Sequence, residues 1–318
     1  MAELEYNPVL KSVKRLSESD GYVAIRKDGI REFARSFRAE DLNPWTSASP
    51  VGLPKQMEEK LAFLFVFNSI SFCYWGDPKW KAHPVNAELD RGTWNMISAL
   101  RGATGKGFDV LDPKSLKDMT TEGLGAILEG NVEIPLLAER CRILREIGTS
   151  LERDFDGDFL NVLRIAGGDA IKLLRIVVAH FPSFHDSSIL DGEEVFFFKR
   201  AQLLVSDISR QFPGGLGRAD ELTACADYVL PMVLRWKGIL GYSRGLAEAI
   251  DSRAIIQRGS REEICIRAST ILAVEMIKEE LRARIPGICS MDVNDYLWLA
   301  KKEVPTGTAY HLTRTTAY

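Results

Sequence analysis

Histidine, cysteine and long apolar runs are all scarce in this chain of 318 residues, and each shortage excludes a class of protein. The five cysteines are odd in number, widely spaced and without a Cys-x-x-Cys pair. We therefore expect reduced, buried thiols rather than disulfides or a zinc ribbon. Only four histidines are present, and His180 and His185 lack an acidic or cysteine partner at ligand spacing. We expect no metal site.

A membrane-spanning segment, a secretory leader and an excess of positive charge are also missing. No segment approaches the roughly 18 apolar residues that a membrane helix requires. The first residues, MAELEYNPVLKSVKR, are charged and lack the apolar centre of a signal peptide. The net charge of −3 provides no general attraction for nucleic acid. These features predict a cytoplasmic protein that binds a small molecule, with neither nucleic acid nor a membrane as partner.

Helical periodicity is the strongest pattern that is present. Ser260–Glu263 has the form of a capping box, and apolar residues then recur on one face of a helix predicted from about residue 260 to 284. A second apolar stripe predicts a helix through residues 201–208. The glycine-rich segment Gly102–Gly107 lacks the hydroxyl residue and the preceding strand of a phosphate loop, so we interpret it as a surface turn.

Strand patterns are few and short. Tyr22–Ile25 precedes a Lys-Asp-Gly turn and is the best strand candidate, whereas the apolar runs 64–67 and 195–198 cannot be classified by periodicity. The sequence therefore predicts a mainly α, compact fold with few short strands. We expect one domain, in which the N-terminal third, about residues 1–130, packs on a helical core formed by residues 131–318.

Two acidic positions lie in unusually apolar surroundings. Asp227 stands in the run Cys225–Pro231, where an ionised carboxylate requires compensation, either as a hydrogen-bonded structural group or as a functional one. Asp292, Asn294 and Asp295 precede an aromatic helical segment. One of them could simply cap that helix, or the group could belong to a binding site.

A lysine and several aromatic residues also have two interpretations each. Lys199 follows the apolar run Phe196–Phe198 and is either a surface lysine with a buried stem or a phosphate ligand. Trp75 and Phe184 are either core residues or platforms on which a base could stack. The final segment 310–318 carries two tyrosines, a histidine and an arginine, which predicts that it docks on the protein.

Taken together and in order, these segments resemble one family, the queuosine salvage proteins. The matching residues are Asn68–Trp75, Pro135–Arg140, Arg142–Leu144, Phe181–Asp186, Phe198–Val205, Ala226–Tyr228, Pro231, Glu263, Arg267, Glu275, Tyr296–Trp298, His311, Arg314 and Tyr318. No single piece is specific. Their number and order carry the resemblance.

The resemblance implies a fold similar to that of helical DNA glycosylases and hydrolysis of the N-glycosidic bond of queuosine 5′-phosphate. It also implies that no metal or organic cofactor takes part. The product would be queuine, recycled for tRNA modification, and the substrate would be the nucleotide rather than tRNA. That substrate agrees with the net charge of −3.

One position departs from the family pattern. Eukaryotic relatives tend to carry an aspartate where this chain has Asn294, whereas the acid here is one residue later, at Asp295. Neighbouring helical residues differ by about 100° of rotation, so the two positions do not share a face. Either the local register differs or Asn294 and Asp295 divide the work.

The implied chemistry suggests roles for these residues. Cleavage of the C1′–N bond builds positive charge on the ribose, which a carboxylate stabilises. Queuine is a 7-deazaguanine without the usual N7, and its edge presents N–H donors that suit a second carboxylate. We expect Asp227 to face the ribose and Asp295, with Asn294, to read the base or its cyclopentenediol arm, although these roles could be exchanged.

The expected substrate-binding residues form three groups. Trp75, Phe184 and Tyr228 are candidate stacking walls, whereas Lys199, His311 and Arg314 are candidate ligands of the 5′-phosphate. Asp186 and Trp298, which lie in matching segments, complete the set.

Two alternatives remain open at this point. The chain could be a glycosidase for another modified nucleotide or for a base in nucleic acid, in which case a basic groove beside Asp227 would be expected. It could also be a non-catalytic queuine-binding protein, which would bind tightly without releasing a product.

Overall fold

Helices make up most of this computed structural model, which describes residues 6–16, 21–84, 86, 88–89 and 91–318. Within those residues the helices are α1 (Pro8–Lys14), α2 (Lys27–Ser36), α3 (Met57–Ile70), α4 (Gly92–Arg101), α5 (Pro113–Lys117), α6 (Thr121–Ile127), α7 (Leu137–Asp154), α8 (Phe159–Ala166), α9 (Ala170–His180), α10 (Lys199–Gln211), α11 (Val229–Trp236), α12 (Arg244–Asp251), α13 (Arg261–Arg282) and α14 (Ser290–Leu299). The strands are β1 (Val23–Ile25), β2 (Ser187–Leu190), β3 (Glu193–Phe196) and β4 (Leu240–Tyr242). The prediction of a mainly α fold with few short strands is confirmed.

The longest helix, α13, begins and ends close to the predicted positions. Ser260 caps it, because its hydroxyl oxygen accepts a hydrogen bond from the Glu263 N–H at 3.3 Å. The second half of the capping box is not formed. The Glu263 carboxylate instead accepts from the Gly259 N–H at 3.1 Å and from the Tyr318 hydroxyl at 3.0 Å. The first turn of α13 is thereby tied to the last residue of the sequence.

Two antiparallel pairs contain all four strands. Strand β1 pairs with β4, with Val23 opposite Tyr242, and β2 pairs with β3, with Ser187 opposite Phe196. The strand predicted at Tyr22–Ile25 is confirmed. Of the two unclassified runs, residues 64–67 lie in α3, where every residue from Leu61 to Ile70 is buried. A helix buried on all sides shows no amphipathic period.

The glycine-rich segment at residues 102–107 is a turn, as predicted. Gly107 has a φ of +82°, a conformation that favours glycine. The Lys106 ammonium donates to the Ala126 carbonyl oxygen at 2.7 Å and so satisfies the C-terminal end of α6. The lysine of this motif therefore has a structural partner.

Two apolar cores support the molecule. The larger one includes α3, α7, α9 and α10, and the smaller one includes α2, α11, α13 and α14. All five cysteines are free thiols. Within the described ranges, no group of three or more His, Cys, Asp or Glu side chains could hold a metal ion. No helix in those ranges is long and apolar enough to cross a membrane.

We predict that Gly148→Ala destabilises the protein although alanine favours helices. A Cβ atom at Gly148, in α7, would lie 2.4 Å from the Pro113 carbonyl oxygen and 2.5 Å from the Lys117 nitrogen of α5. Such overpacking typically costs about 1–3 kcal/mol. The matched control is Gly245→Ala in α12, where nothing lies within 4 Å and a gain of up to about 1 kcal/mol is expected. Urea unfolding measures both, and equal stability of the two variants would contradict the close α5–α7 packing.

Candidate active site

A cleft with an empty volume of about 720 Å³ opens where the two apolar cores meet. Six of the eleven predicted site residues line it, namely Asp227, Asp295, Lys199, Tyr228, Asn294 and Trp298. The other five, Trp75, Phe184, Asp186, His311 and Arg314, are not among its lining residues. Parts of α3, α4, α10, α11 and α14 contribute to the walls, together with Tyr318. The cleft thus gathers groups that are distant in sequence.

Asp227 caps a helix with one of its two carboxylate oxygens. Its Oδ1 accepts from the backbone N–H groups of Val229 at 2.7 Å and Leu230 at 3.1 Å, which caps the start of α11. The side chain is 8% exposed and lines the cleft. Because both capping bonds use Oδ1, Oδ2 takes no part in holding the helix.

Asp295 is the second carboxylate of the cleft and is only 1% exposed. Its Oδ2 accepts from the Trp45 backbone N–H at 3.2 Å and lies 3.3 Å from the Arg210 guanidinium, and its Oδ1 accepts from the Asn294 amide at 3.0 Å. Burial raises the pKa of Asp295 to about 6, although Arg210 and these hydrogen bonds oppose the rise. The carboxylate is therefore ionised at neutral pH.

Asn294 and Asp295 both line the cleft and make different contacts. The Asn294 Oδ1 accepts from the Cys225 N–H at 2.9 Å while its amide donates to Asp295. Asn294 thus connects α14 to the segment that carries Asp227. The capping function belongs to Asp292, whose Oδ2 accepts from the Cys289 N–H at 2.9 Å.

Aromatic rings form the wall beside Asp295. Trp45 lies stacked between Phe67 and Trp94, with both centroid distances at 5.7 Å. Trp298 meets Trp45 edge-on at 5.8 Å, and the Arg91 guanidinium covers its ring at 4.3 Å. Such flat apolar surfaces beside a hydrogen-bonding carboxylate suit a heterocyclic base.

Tyr228 provides a second aromatic surface next to Asp227. Its ring stacks on Tyr310 with centroids 5.0 Å apart and an interplanar angle of 25°. Burial raises the pKa of the Tyr228 hydroxyl well above its usual value, so it remains protonated.

Lys199 brings a positive charge into the cleft. It is the first residue of α10 and is 6% exposed. Across the described part of the chain, no carboxylate forms a salt bridge with its ammonium group, and Lys199 is one of the residues that line the cavity. A nearly buried cation without a countercharge favours an anionic ligand.

Asp186, which we expected to bind substrate, is not among the lining residues and is buried in an ion pair beside the cleft. Its carboxylate forms a two-point ion pair with Arg267, at 3.0 Å for Oδ1, and its Oδ2 accepts from the Lys199 backbone N–H at 3.2 Å. Arg267 holds the pKa of Asp186 below its usual value against the effect of burial. Because Arg267 also donates to the Ala226 carbonyl oxygen at 3.2 Å, this pair positions both Lys199 and Asp227.

His311 and Arg314, which we predicted as phosphate ligands together with Lys199, are not among the residues that line the cleft. His311 is buried against the Tyr318 hydroxyl at 3.2 Å, and burial together with Arg267 lowers its pKa to about 3. A neutral imidazole offers no positive charge to a phosphate at neutral pH. Arg314 is exposed outside the cleft.

Trp75 and Phe184 occupy structural positions instead of forming cleft walls. The Trp75 indole donates to the Thr313 carbonyl oxygen at 3.2 Å, which helps to dock the final segment as predicted. Phe184 is fully buried, with the Arg200 guanidinium 5.1 Å from its ring. Of the three predicted stacking walls, only Tyr228 lines the cavity.

Comparison with known proteins identifies the family of this chain. The family model of the queuosine salvage protein matches residues 52–318. The chain belongs to the queuosine salvage protein family. The queuosine 5′-phosphate N-glycosylase/hydrolase of Sphaerobacter thermophilus is 38% identical over 315 residues, covering 98% of this chain and 97% of that protein. Proteins of the same name are 28% identical in Bos taurus over 97% of this chain and 98% of the relative, and 29% identical in Schizosaccharomyces pombe over 76% and 75%.

Two residues beside the cleft were missed by the sequence analysis and by the family resemblance. Trp45 stands in a breaker-rich segment without periodicity, so no pattern indicated its position in the wall. Asp207 is a buried carboxylate in α10, three residues after Leu204 and one before Ile208, both buried. An acid on the apolar face of a helix is the same signal that drew attention to Asp227, and it would have identified Asp207.

We predict that Asp207 makes the protein less stable as pH rises through neutrality. Burial and the nearby Asp295 raise the pKa of Asp207 to about 7. The folded state then binds a proton that the unfolded chain, with a carboxyl pKa of about 3.9, has released. The resulting contribution to the free energy of unfolding is complete below pH 4 and is lost as pH rises to the folded-state pKa of about 7. Between these values the free energy of unfolding falls with a slope approaching about 1.4 kcal/mol per pH unit.

Asp207→Asn removes this titration, so the difference in melting temperature between wild type and variant should change steadily between pH 5 and about pH 7 and level off above about pH 8. Comparing the two proteins cancels the opposite contribution of His311, whose lowered pKa favours the folded state at high pH. A difference that stays constant with pH would contradict the raised pKa of Asp207.

Proposed function

We propose that this protein hydrolyses the N-glycosidic bond of queuosine 5′-phosphate and releases queuine. The observation that carries the proposal is one cleft, in a member of the queuosine salvage family, that is lined by two carboxylates, aromatic rings and a lysine without a salt bridge to any described residue. Relatives with identities from 28% to 38% and near-complete coverage are named for this activity.

Asp227 is the carboxylate that we assign to the ribose. Hydrolysis breaks the C1′–N bond, adds the hydroxyl of water to C1′ and leaves a proton on the base. Positive charge develops on the sugar during this step, and the Oδ2 of Asp227 can stabilise it and orient the attacking water. The capping bonds to Oδ1 hold the carboxylate in place before substrate binds.

Asp295 is the carboxylate that we assign to the base. Its ionised oxygens can accept hydrogen bonds from the N–H groups of a guanine-like edge. Trp45 and Trp298 lie beside it and form an apolar aromatic wall against which the base can pack. Asn294 acts indirectly, because its amide already bonds to Asp295 and to the Cys225 backbone.

Lys199 is the residue that we assign to the 5′-phosphate. Its ammonium lines the same cleft as Asp227, and a phosphate would supply the countercharge that it lacks. We do not assign His311 or Arg314 to the phosphate, because His311 is neutral at neutral pH and Arg314 is not among the residues that line the cleft.

The wider role follows from the family rather than from the cleft. We propose that the released queuine re-enters tRNA modification, that the protein acts in the cytoplasm, and that it takes neither nucleic acid nor a membrane as partner. We also propose that the fold is similar to that of helical DNA glycosylases. The chain would form one domain, in which the N-terminal third, about residues 1–130, packs on the helical core of residues 131–318.

The decisive assay is chromatography of the purified protein incubated with queuosine 5′-phosphate, queuosine or guanosine 5′-phosphate. Queuine should be released from the first, far less from the second, and no guanine from the third. If folded protein releases no base from any of them while binding queuine tightly, the binding-protein alternative replaces hydrolysis.

We predict that Asp227→Asn lowers kcat by at least about a thousandfold with little change in stability. Asparagine also caps helices well, so the amide oxygen can keep the bonds to Val229 and Leu230. Only the charge is lost. Single-turnover kinetics and thermal unfolding measure the two effects, and a rate loss of merely a few-fold would assign the ribose to Asp295 instead.

We predict that Lys199→Met impairs turnover of queuosine 5′-phosphate by about a hundredfold or more but changes turnover of queuosine by only a few-fold. Methionine keeps most of the apolar stem and removes the charge that a phosphate requires. The ratio of kcat/KM for the two substrates is the measurement. An equal loss on both substrates would exclude Lys199 as the phosphate ligand.

A further inference from the structure

Asp207 is a buried carboxylate beside the cleft that the proposed reaction does not use. It is 1% exposed and is not among the residues that line the cavity, so it cannot touch a substrate there. Its Oδ1 accepts from the Trp45 indole N–H at 2.8 Å, and its Oδ2 accepts from the Asn68 amide at 3.0 Å. A buried acid is costly to keep, so its partners indicate what it does.

Trp45 lies between two carboxylates and is bonded to both. Its indole N–H donates to Asp207, and its backbone N–H donates to the Oδ2 of Asp295 at 3.2 Å. Its ring lines the cleft, stacked between Phe67 and Trp94. One residue therefore joins an acid outside the cleft to the acid inside it.

The charged groups around the two carboxylates are few. Arg210, from α10, lies 2.9 Å from Asp292 and 3.3 Å from Asp295 of α14. The side chains that α3 and the segment 45–48 direct at Asp207 are the uncharged Asn68 and Trp45. Since Arg210 already pairs with two other acids, the bond to Trp45 is one of the two short contacts that hold Asp207.

We propose that Asp207 is a positioning residue for base recognition, which acts by fixing Trp45 in the cleft wall and thereby orienting Asp295. The inference rests on the proposed function. The indole bond sets the rotamer of Trp45 and the position of its short 3₁₀ segment, Trp45–Ala48. That segment in turn directs the Trp45 backbone N–H at the oxygen of Asp295. Loss of the Asp207 carboxylate would leave the buried indole N–H of Trp45 without an acceptor, and the Trp45 ring would no longer be fixed in the cleft wall.

Asp207→Ala should therefore weaken queuine binding by about tenfold or more and lower kcat/KM for queuosine 5′-phosphate to a similar extent, mainly through KM. Asp207→Asn should restore both to within about threefold, because its amide oxygen can accept from Trp45. The Asn68 Oδ1, which is buried without a partner in the described part of the protein, can accept from the new amide if the Asn68 side chain turns over. That turn gives up the bond from the Asn68 amide to the Leu64 carbonyl oxygen at 3.0 Å, so Asp207→Asn should lower the melting temperature while it keeps queuine binding.

The route through Trp45 is tested by a double-mutant cycle. Trp45→Phe keeps an aromatic wall and the backbone bond but removes the indole N–H, so it should also weaken queuine binding. If Asp207 acts through Trp45, the double variant Asp207→Ala/Trp45→Phe should bind queuine about as well as whichever single variant has the higher dissociation constant for queuine. Independent effects that multiply would overturn the proposal.

The control for a purely structural role is Ile208→Ala, one position further along α10 in the buried core. It should lower the melting temperature at least as much as Asp207→Ala and leave the queuine dissociation constant unchanged well below that temperature. If Asp207→Ala also binds queuine like wild type, the positioning role is wrong. Queuine binding by calorimetry needs no turnover, so failure of the hydrolysis proposal would be distinguishable from failure of this one.

Discussion

The buried ion pair between Asp186 and Arg267 is the interaction on which the arrangement of the cleft depends. Arg267 lies in the middle of α13 and is fully buried, and Asp186 precedes β2. From this pair, hydrogen bonds reach the first backbone N–H of α10, at Lys199, and the Ala226 carbonyl oxygen, next to Asp227. The lysine and the aspartate of the candidate site are therefore positioned by one pair of charges that is not part of the cleft lining.

Burial of such a pair is expensive unless each group is also hydrogen-bonded. Here each group has a further hydrogen bond, Asp186 to the Lys199 N–H and Arg267 to the Ala226 carbonyl oxygen. The Arg267 guanidinium also lies 3.9 Å from the centre of the Phe197 ring and 4.5 Å from that of Tyr318, and these cation–π contacts offset part of the cost of burial. The Tyr318 hydroxyl donates to Glu263, which also accepts from Arg267. This closed network explains why the final segment of the sequence docks against α13 and forms part of the cleft wall.

Buried arginines play a similar part elsewhere around the cleft. Arg140 donates to the carbonyl oxygens of Ile70 and Phe72, and Arg200 donates to those of Ser69 and Ser183. Burial lowers the pKa of both guanidinium groups only to about 10, so they stay charged at neutral pH. They satisfy the carbonyl groups where α3 ends, and irregular backbone can therefore lie in the protein interior.

The sequence by itself determined the helical character of the chain, the limits of α13 and the two acids of the cleft. These depend on local rules, because a capping residue, a 3.6-residue period and a charge inside an apolar run can all be read without knowing the fold. Asp227 and Asp295 were therefore found, and Asp207 carried the same signal.

Only the tertiary structure decided which residues meet. Local pattern cannot separate Lys199, which lines the cavity, from His311, which is buried and neutral, because the pKa of His311 depends on burial by the folded chain and on Arg267, 44 positions away. Trp45 lacks any periodic signal and gains its role from Asp207 and Asp295, 162 and 250 residues away. Desolvation and ion pairing are set by such distant contacts, and they determine which polar side chains can serve the site.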